Sequence, residues 1–251
     1  MVNGIENFKN HFKECKNQYI LIGGTACDIL HAANGLEFRS TKDLDMVLII
    51  KAIDSAFSKV FWEFIKKGKY QNKQKMTGKK LYYRFYGPEE DNFPEMLELF
   101  STAPNVLSED SNIHLTKISI DDDVLSLSAI LLEEEYYEFI LNNKAVVNDF
   151  PIISAAGIIP LKAKAYIDLR TKKDNSKKID EKDIVKHKND IFRIYRLLAE
   201  NSKIFLPDKL KADMNTFFEM IQNNPPDLYN LGIKRIPLET VLFNLKKIYN
   251  L

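Results

Sequence analysis

A pair of aspartates directly before an apolar run limits most strongly what this chain can fold into. Asp43-Leu44-Asp45 is followed at once by Met46 to Ile50, a run that is typical of a buried strand. Because strand side chains alternate in direction, the two carboxylates point to one face, about 6 to 7 Å apart along the chain, and Leu44 points to the other. Two like charges converge there, so a bound cation is expected between them.

A glycine turn precedes this strand. The apolar run Tyr19 to Ile22 ends at Gly23-Gly24, and helical spacing follows from Thr25 to about Ala33, which predicts a strand, a tight turn and a helix. Glycines let a backbone approach a phosphate, and a helix presents N–H groups at its amino terminus to an anion. Because Mg²⁺ prefers hard oxygen ligands and often keeps substrate phosphates in its shell, turn and carboxylates together outline a metal and nucleotide site.

The two motifs resemble those of the nucleotidyltransferase superfamily. More narrowly, Gly23-Gly24-Thr25-Ala26 followed by Arg39-Ser40-Thr41-Lys42-Asp43-Leu44-Asp45 is similar to the AbiEii/AbiGii family of abortive-infection toxins. The resemblance implies a nucleotidyltransferase-like mixed β-sheet flanked by helices, with Mg²⁺ held by Asp43 and Asp45. It also implies that the phosphates are received by Gly23, Gly24, Thr25 and Thr41.

A third acidic residue, Glu98, is embedded in a short predicted strand from Pro94 to Phe100. An isolated buried carboxylate is costly, so Glu98 needs a cation, either a lysine or a metal ion. In the family that the chain resembles, a third acidic residue, commonly aspartate, occupies such a strand beside the Asp-x-Asp pair. The resemblance therefore implies that Glu98 joins the metal ligands or acts as the base, with Glu95 as the weaker alternative.

The second half of the sequence is mostly helical, which predicts an α+β chain. We expect a sheet domain at residues 1–157 and a helical domain at 158–251, with Pro160 in the first turn of its first helix. Residues 171–188 are strongly charged and lack apolar periodicity until Ile184, which predicts a mobile linker.

Further strands are predicted just before the helical half. Val124 to Leu132 and Tyr136 to Val147 contain strand-like runs, with Asn142-Asn143 as a hairpin turn. They are expected to extend the sheet.

The helix around Lys162 resembles a second motif of the same family. In that motif a lysine is followed three residues later by alanine and, after a gap, by a basic residue and an aspartate. Lys162 with Ala165 matches this spacing better than Lys164 does, and Lys188-Asn189-Asp190 resembles the second part. The resemblance implies a lysine that holds the triphosphate and an aspartate that positions the lysine or the attacking hydroxyl. Because the gap is long here, Asp183 stays open as the alternative to Asp190. Lys164 is the alternative lysine.

The composition of the chain limits which other classes of function are possible. Lysine and arginine number 36 against 35 acidic residues, so no global charge draws the chain onto nucleic acid or an anionic membrane. No apolar run approaches the roughly 18 residues of a membrane span. With two cysteines the chain fits a reducing compartment, and we expect a cytoplasmic protein. The four histidines form no ligand pattern that would predict zinc.

These features predict a Mg²⁺-dependent enzyme that moves a nucleoside monophosphate from a nucleoside triphosphate to an acceptor hydroxyl. The resemblance implies a toxin with a cognate antitoxin, and tRNA as an acceptor known for some relatives. Two alternatives stay open, an enzyme that modifies small molecules such as aminoglycosides and a non-catalytic binding module of the same fold. The carboxylates argue against the binding module, because without a cation they only destabilise the site.

Overall fold

The protein is described by a computed structural model that covers residues 2–49, 52, 55–74, 80–100, 133–175, 178–199 and 201–251. The described chain divides into two compact units. Unit 1 comprises the residues before 101 together with Lys144–Ile153, and unit 2 comprises residues 133–143 together with Ser154–Leu251. Unit 1 contains a mixed sheet with helices and unit 2 is helical, so the α+β class is confirmed. The predicted strand from Val124 to Leu132 lies outside the described residues.

Within the described residues, unit 1 has seven strands: β1 Tyr19–Ile22, β2 Asp43–Leu48, β3 Gln71–Gln74, β4 Lys80–Tyr86, β5 Met96–Phe100, β6 Lys144–Val147 and β7 Phe150–Ile153. They form one sheet in the order β3-β4-β5-β2-β1-β7-β6. The β2–β5 and β1–β7 pairs are parallel, and the other neighbours are antiparallel. Strands β1 and β7 are buried along their whole length, as their unbroken apolar sequences require.

The helices of unit 1 cover this sheet with an aromatic cluster. They are α1 Ile5–His11, α2 Gly23–Ala33 and α3 Ser55–Gly68, with a short 3-10 turn at Lys13–Cys15. The rings of Phe8 and Phe12 stack with centroids 4.4 Å apart, and both contact Tyr19 of β1 and Phe64 of α3. The cluster fixes β1, and with it the start of α2.

Unit 2 contains five helices among its described residues: α4 Glu134–Asn142, α5 Ala155–Asp174, α6 Glu181–Tyr195, α7 Asp208–Asn223 and α8 Leu238–Tyr249. Their apolar faces supply the buried core, including Ile191 and Ile194 of α6 and Phe217 and Ile221 of α7. No helix in the described parts of the chain is both long enough and apolar enough to cross a membrane.

The strand prediction for Tyr136 to Val147 was wrong over its first half, which is helix α4. Tyr136, Tyr137, Phe139 and Ile140 are buried, and their spacing is that of one helix face, but aromatic and β-branched residues also favour strands. Residues 144–147 do form β6. Its hairpin turn is Asn148-Asp149, where φ is 49° and 68°, as a two-residue turn of type I′ requires.

The predicted linker at 171–188 was also wrong, since α5 continues to Asp174 and α6 begins at Glu181. Glu181 accepts hydrogen bonds from Arg170 at 2.5 Å and Lys173 at 2.8 Å, which ties the two helices together. These hydrogen bonds lower the pKa of Glu181 to about 2, and the bond from Arg170 has the largest effect. The Asp180 carboxylate caps α6 by accepting the N–H of Lys182 at 2.9 Å. These charged residues therefore stabilise the ends of two helices and do not indicate a disordered linker.

Pro160 lies inside α5 and not in its first turn, because the helix begins at Ala155 after the capping residue Ser154. A proline has no N–H for the carbonyl four residues earlier, which is that of Ala156. The Tyr249 hydroxyl of α8 donates to that carbonyl at 2.7 Å, in a buried position. The hydroxyl replaces the missing helical hydrogen bond, so the helix tolerates the proline.

Candidate functional site

The two predicted aspartates lie at the first and third positions of β2, where both are half-buried and Leu44 between them is buried. The antiparallel register of β1 and β2 sets Asp45 opposite Ile22, the residue before α2. Thr25 in the first turn of α2 donates its hydroxyl to the backbone carbonyl of Asp43 at 2.5 Å. The start of the helix is therefore fixed against the strand that carries both aspartates.

Gly23 and Gly24 are needed here because side chains of other residues occupy the space that a Cβ would take. Gly23 has φ of +67°, and a Cβ there would overlap the carboxylate of Asp45. A Cβ on Gly24 would overlap the hydroxyl of Thr41, with a guanidinium nitrogen of Arg39 3.7 Å away. The helix begins at Gly23 itself and not after a separate turn. Asp45 and Thr41 thus pack directly against the amino terminus of α2.

Glu98 lies beside Asp45, since the two residues are paired in the parallel register of β2 and β5. The next strand places Arg84 opposite Glu98. Paired residues on neighbouring strands point to the same face, so Arg84, Glu98 and Asp45 form one charged row across three strands. Both nitrogens Nε and Nη2 of Arg84 contact Oε1 of Glu98, and the side chains are 20% and 12% exposed. The cation that Glu98 requires is an arginine.

The donor chemistry near α2 fits a divalent cation at Asp43 and Asp45. Two carboxylates on one strand face supply hard oxygen ligands, and Mg²⁺ takes the rest of its shell from water and phosphate. In the described part of the chain no three or more histidine, cysteine or acidic residues are grouped to hold a metal ion. Glu98, bonded to Arg84, does not complete such a group.

A second ion pair lies on the surface at the same end of β2. Lys42 contacts Glu95 at 2.9 Å, and both side chains are more than half exposed. The hydrogen bond with Glu95 raises the pKa of Lys42. Glu95, the weaker alternative to Glu98, is therefore engaged with a surface lysine.

In unit 2 the structure pairs Lys162 with Asp190. Lys162 Nζ lies 3.0 Å from Oδ2 of Asp190, and Arg193 approaches the other oxygen, Oδ1, at 3.2 Å. The side chain of Lys162 is 4% exposed and that of Asp190 is fully buried. One carboxylate thus balances two cations from α5 and α6.

The alternative residues have other partners. Lys164 contacts Asp168 one turn later on α5 at 2.5 Å, and Asp183 contacts Lys186 at 2.9 Å on the surface of α6. Lys188 points elsewhere, donating to the backbone and side-chain oxygens of Asn224, both at 3.1 Å, at the end of α7. Burial is the main cause that lowers the pKa of Lys188. The buried pair is therefore Lys162 with Asp190.

Unit 1 brings together seven of the predicted site residues, and unit 2 contains Lys162, Lys164 and Asp190. Sequence reasoning missed Arg84, the partner of Glu98, and did not assign Arg39 or Arg193. The alternation of Arg84 with the apolar Phe85, in the segment that forms β4, is a weak signal for Arg84. Arg193 lies three residues after Asp190, a spacing that is typical of an ion pair within a helix.

No family model matches this chain, and no curated protein or solved structure is significantly similar to it.

Proposed function

We propose that this protein is a Mg²⁺-dependent nucleotidyltransferase, with a nucleotidyltransferase-like fold, that transfers a nucleoside monophosphate from a nucleoside triphosphate to an acceptor hydroxyl. One observation carries the proposal: Asp43 and Asp45 share a strand face against a helix that begins with Gly23. That arrangement supports a site for a cation and phosphates, because it joins hard oxygen ligands to the amino terminus of a helix.

The residues of unit 1 supply binding and charge. The first turn of α2, with Gly23, Gly24 and Thr25, offers backbone N–H groups to the phosphates, and Ile22 before it has no side chain that could cap them. The Thr41 hydroxyl lies against Gly24 and adds a donor. Mg²⁺ held by Asp43 and Asp45 would neutralise charge on the phosphates.

The reaction itself is an in-line displacement. The oxygen of the acceptor hydroxyl attacks the α-phosphorus, and the bond from that phosphorus to the oxygen bridging to the β-phosphate breaks. Pyrophosphate leaves, and the acceptor hydroxyl loses its proton to a carboxylate of the site. The protein contributes mostly positioning and electrostatic stabilisation. For unit 2, where Lys162 is buried against Asp190, the motif resemblance alone supports a role of Lys162 in holding the triphosphate and of Asp190 in positioning it, with Lys164 as the alternative lysine.

The motif resemblance supports a narrower biological role. We propose a cytoplasmic toxin of the AbiEii/AbiGii type, with tRNA as the acceptor and an antitoxin as its partner. Small molecules such as aminoglycosides are the competing acceptors. The balance of 36 basic and 35 acidic residues means that contact with tRNA depends on local positive charge and not on the net charge.

A transfer assay tests the proposal. The protein is incubated with Mg²⁺ and each of the four nucleoside triphosphates, labelled on the α- or the γ-phosphate, with total tRNA or an aminoglycoside panel. Nucleotidyl transfer places α-label on the acceptor and releases γ-label as pyrophosphate. Label on tRNA supports the toxin role, whereas label on an aminoglycoside supports the small-molecule enzyme. Nucleotide binding without any labelled acceptor supports the binding module.

Substitutions of the aspartates complete the test. Asp43→Asn and Asp45→Asn each remove a ligand charge without changing volume, so we expect transfer to fall at least about 100-fold with the fold retained. Asp149→Asn is the matched control, since Asp149 lies in the exposed β6–β7 turn and pairs with Lys16. Equal labelling by the wild type and both variants would contradict the metal assignment.

A further inference from the structure

We propose that Arg84 binds a phosphate of the nucleotide and that Glu98 positions its guanidinium, so that the cation is held by Asp43 and Asp45 without Glu98. The proposal rests on the nucleotidyltransferase function and deepens it. It reassigns the third carboxylate from metal ligand or base to partner of an arginine.

The charged row brings Arg84 near the aspartates. Arg84 is paired with Glu98, and Glu98 with Asp45, in one continuous register. Neighbouring strands lie about 4.8 Å apart, so the backbone of Arg84 is about 10 Å from that of Asp45. A phosphate bound beside Asp45 therefore comes within reach of a long side chain that starts two strands away on the same sheet face.

The contact with Glu98 leaves Arg84 able to bind a phosphate. A guanidinium carries five N–H donors in a rigid plane, and Glu98 takes those of Nε and Nη2 through one oxygen. Donors remain for a phosphate, and the contact with Glu98 fixes the plane that carries them. An arginine held in this way loses less side-chain entropy on binding than a mobile one. Glu98 thus acts on the nucleotide through Arg84.

A metal-ligand role for Glu98 would leave Arg84 without its partner. The guanidinium stays charged at all ordinary pH values, and Arg84 is mostly buried. If Glu98 turned away to bind a metal ion, Arg84 would lose its buried counter-ion, which is strongly unfavourable. The pair is therefore more stable than Glu98 as a third ligand.

The experiment measures two affinities separately. Calorimetry gives the affinity for a non-hydrolysable nucleoside triphosphate at saturating Mg²⁺, and electron paramagnetic resonance gives the affinity for Mn²⁺ alone. Arg84→Gln should weaken nucleotide binding at least about tenfold and leave the Mn²⁺ affinity within about twofold. Glu98→Gln should weaken nucleotide binding by a smaller factor, again with the Mn²⁺ affinity unchanged, a split that general damage to the site would not produce.

Three further variants serve as controls. Asp45→Asn should lower the Mn²⁺ affinity at least about tenfold, because it removes a ligand charge. Lys42→Gln removes a positive charge of the exposed pair with Glu95 at the same end of β2, and should change neither affinity more than about twofold. Arg84→Lys keeps the charge and should recover part of the nucleotide affinity. If Arg84→Gln fails to fold, Arg84→Lys and Glu98→Gln still decide the matter.

The proposal is overturned if Glu98→Gln lowers the Mn²⁺ affinity as much as Asp45→Asn does, or if Arg84→Gln and Arg84→Lys bind nucleotide as well as the wild type. Absence of Mn²⁺ binding to the wild type also overturns it. Failure of the proposed reaction is distinguishable, because binding is measured without an acceptor. Nucleotide bound through Arg84 but never transferred would contradict the transferase and support this inference.

Discussion

The absence of a side chain at Gly23 leaves space for the carboxylate of Asp45. The backbone has φ of +67°, and the carboxylate of Asp45 occupies the volume of a Cβ. Gly23→Ala therefore adds two separate costs, the left-handed backbone conformation and the displacement of Asp45. We expect the variant to lose at least about 1 to 2 kcal/mol of folding stability from the backbone alone, together with most nucleotide transfer.

Gly35→Ala is the matched control for this prediction. Gly35 has a φ of +66°, nearly the same as Gly23, but nothing lies within 4 Å of the position that its Cβ would take. Thermal unfolding should show a comparable backbone cost in both alanine variants, while the transfer assay should detect a loss only for Gly23→Ala. Similar activity in the two variants would mean that Asp45 does not need its present position.

The aspartates and glycines were predictable because each motif is local in sequence. Asp43 and Asp45 share a face through strand alternation alone, and the apolar runs around them identify the strands. Arg84 was not predictable in the same way. Its partnership with Glu98 depends on β4 pairing with β5, in one register out of several, and a single sequence does not specify strand order. The need of Glu98 for a cation was predicted, but the cation's identity was not.

The two lysines of α5 differ in what their removal should change. Lys162 is buried against Asp190, whereas Lys164 contacts Asp168 in a partly exposed pair one turn along the helix. Residues two positions apart lie about 200° apart around a helix axis, so the two cannot serve one site. Lys162→Ala should raise the Michaelis constant for the triphosphate or lower turnover, and Lys164→Ala should do neither.

Stability has to be measured beside activity for this pair. Lys162→Ala leaves Arg193 as a counter-ion of Asp190, so we expect a cost of about 1 to 3 kcal/mol, below that of a wholly unpaired buried charge. Lys164→Ala should cost less than about 0.5 kcal/mol. Assays well below both unfolding temperatures separate the two effects. If Lys164→Ala lowers activity and Lys162→Ala does not, the motif lysine is Lys164 and the alignment is shifted by two residues. If neither variant loses activity, the chemistry depends on unit 1 alone.

The proline inside α5 gives a test of helix packing. Tyr249→Phe removes the hydroxyl that donates to the Ala156 carbonyl, so we expect about 1 to 2 kcal/mol of destabilisation from a buried unsatisfied acceptor. In a Pro160→Ala background residue 160 regains an N–H for that carbonyl, and the same change should cost clearly less. Denaturant unfolding of the four proteins in this cycle measures the difference. Equal costs in both backgrounds would show that the hydroxyl does not substitute for the helical bond.

The helices of unit 2 show where sequence patterns failed and why. The mostly helical second half was correctly predicted, because burial on one face of α6, α7 and α8 imposes the helical period on their apolar residues. The charged stretch after Asp168 lacked such a period, since Glu181 is bonded to Arg170 and Lys173 across two helices. Such contacts between charged residues of two helices can be recognised only once the partner helix is known. Charge alone therefore did not indicate disorder here.

The net charge of the chain is only +1, so the binding of a charged ligand depends on local charges. A protein of this kind should bind an anionic nucleotide only where a cation first neutralises the carboxylates. Asp43 and Asp45 without a cation would repel a triphosphate, because like charges on one strand face add to those of the ligand. Binding of nucleotide and Mg²⁺ should therefore be strongly coupled.

Thermal unfolding measures this coupling without any acceptor. Ligand that binds only the folded state at about 100 times its dissociation constant adds about 2.7 kcal/mol, which is roughly 5 to 10 °C for a chain of this size. We expect this rise with Mg²⁺ and a non-hydrolysable triphosphate together, and almost none with nucleotide in EDTA. Asp45→Asn should lose the rise while Asp149→Asn keeps it. An equal rise in EDTA would mean that arginines and lysines bind the phosphates unaided, and that the aspartates serve some purpose other than holding a metal.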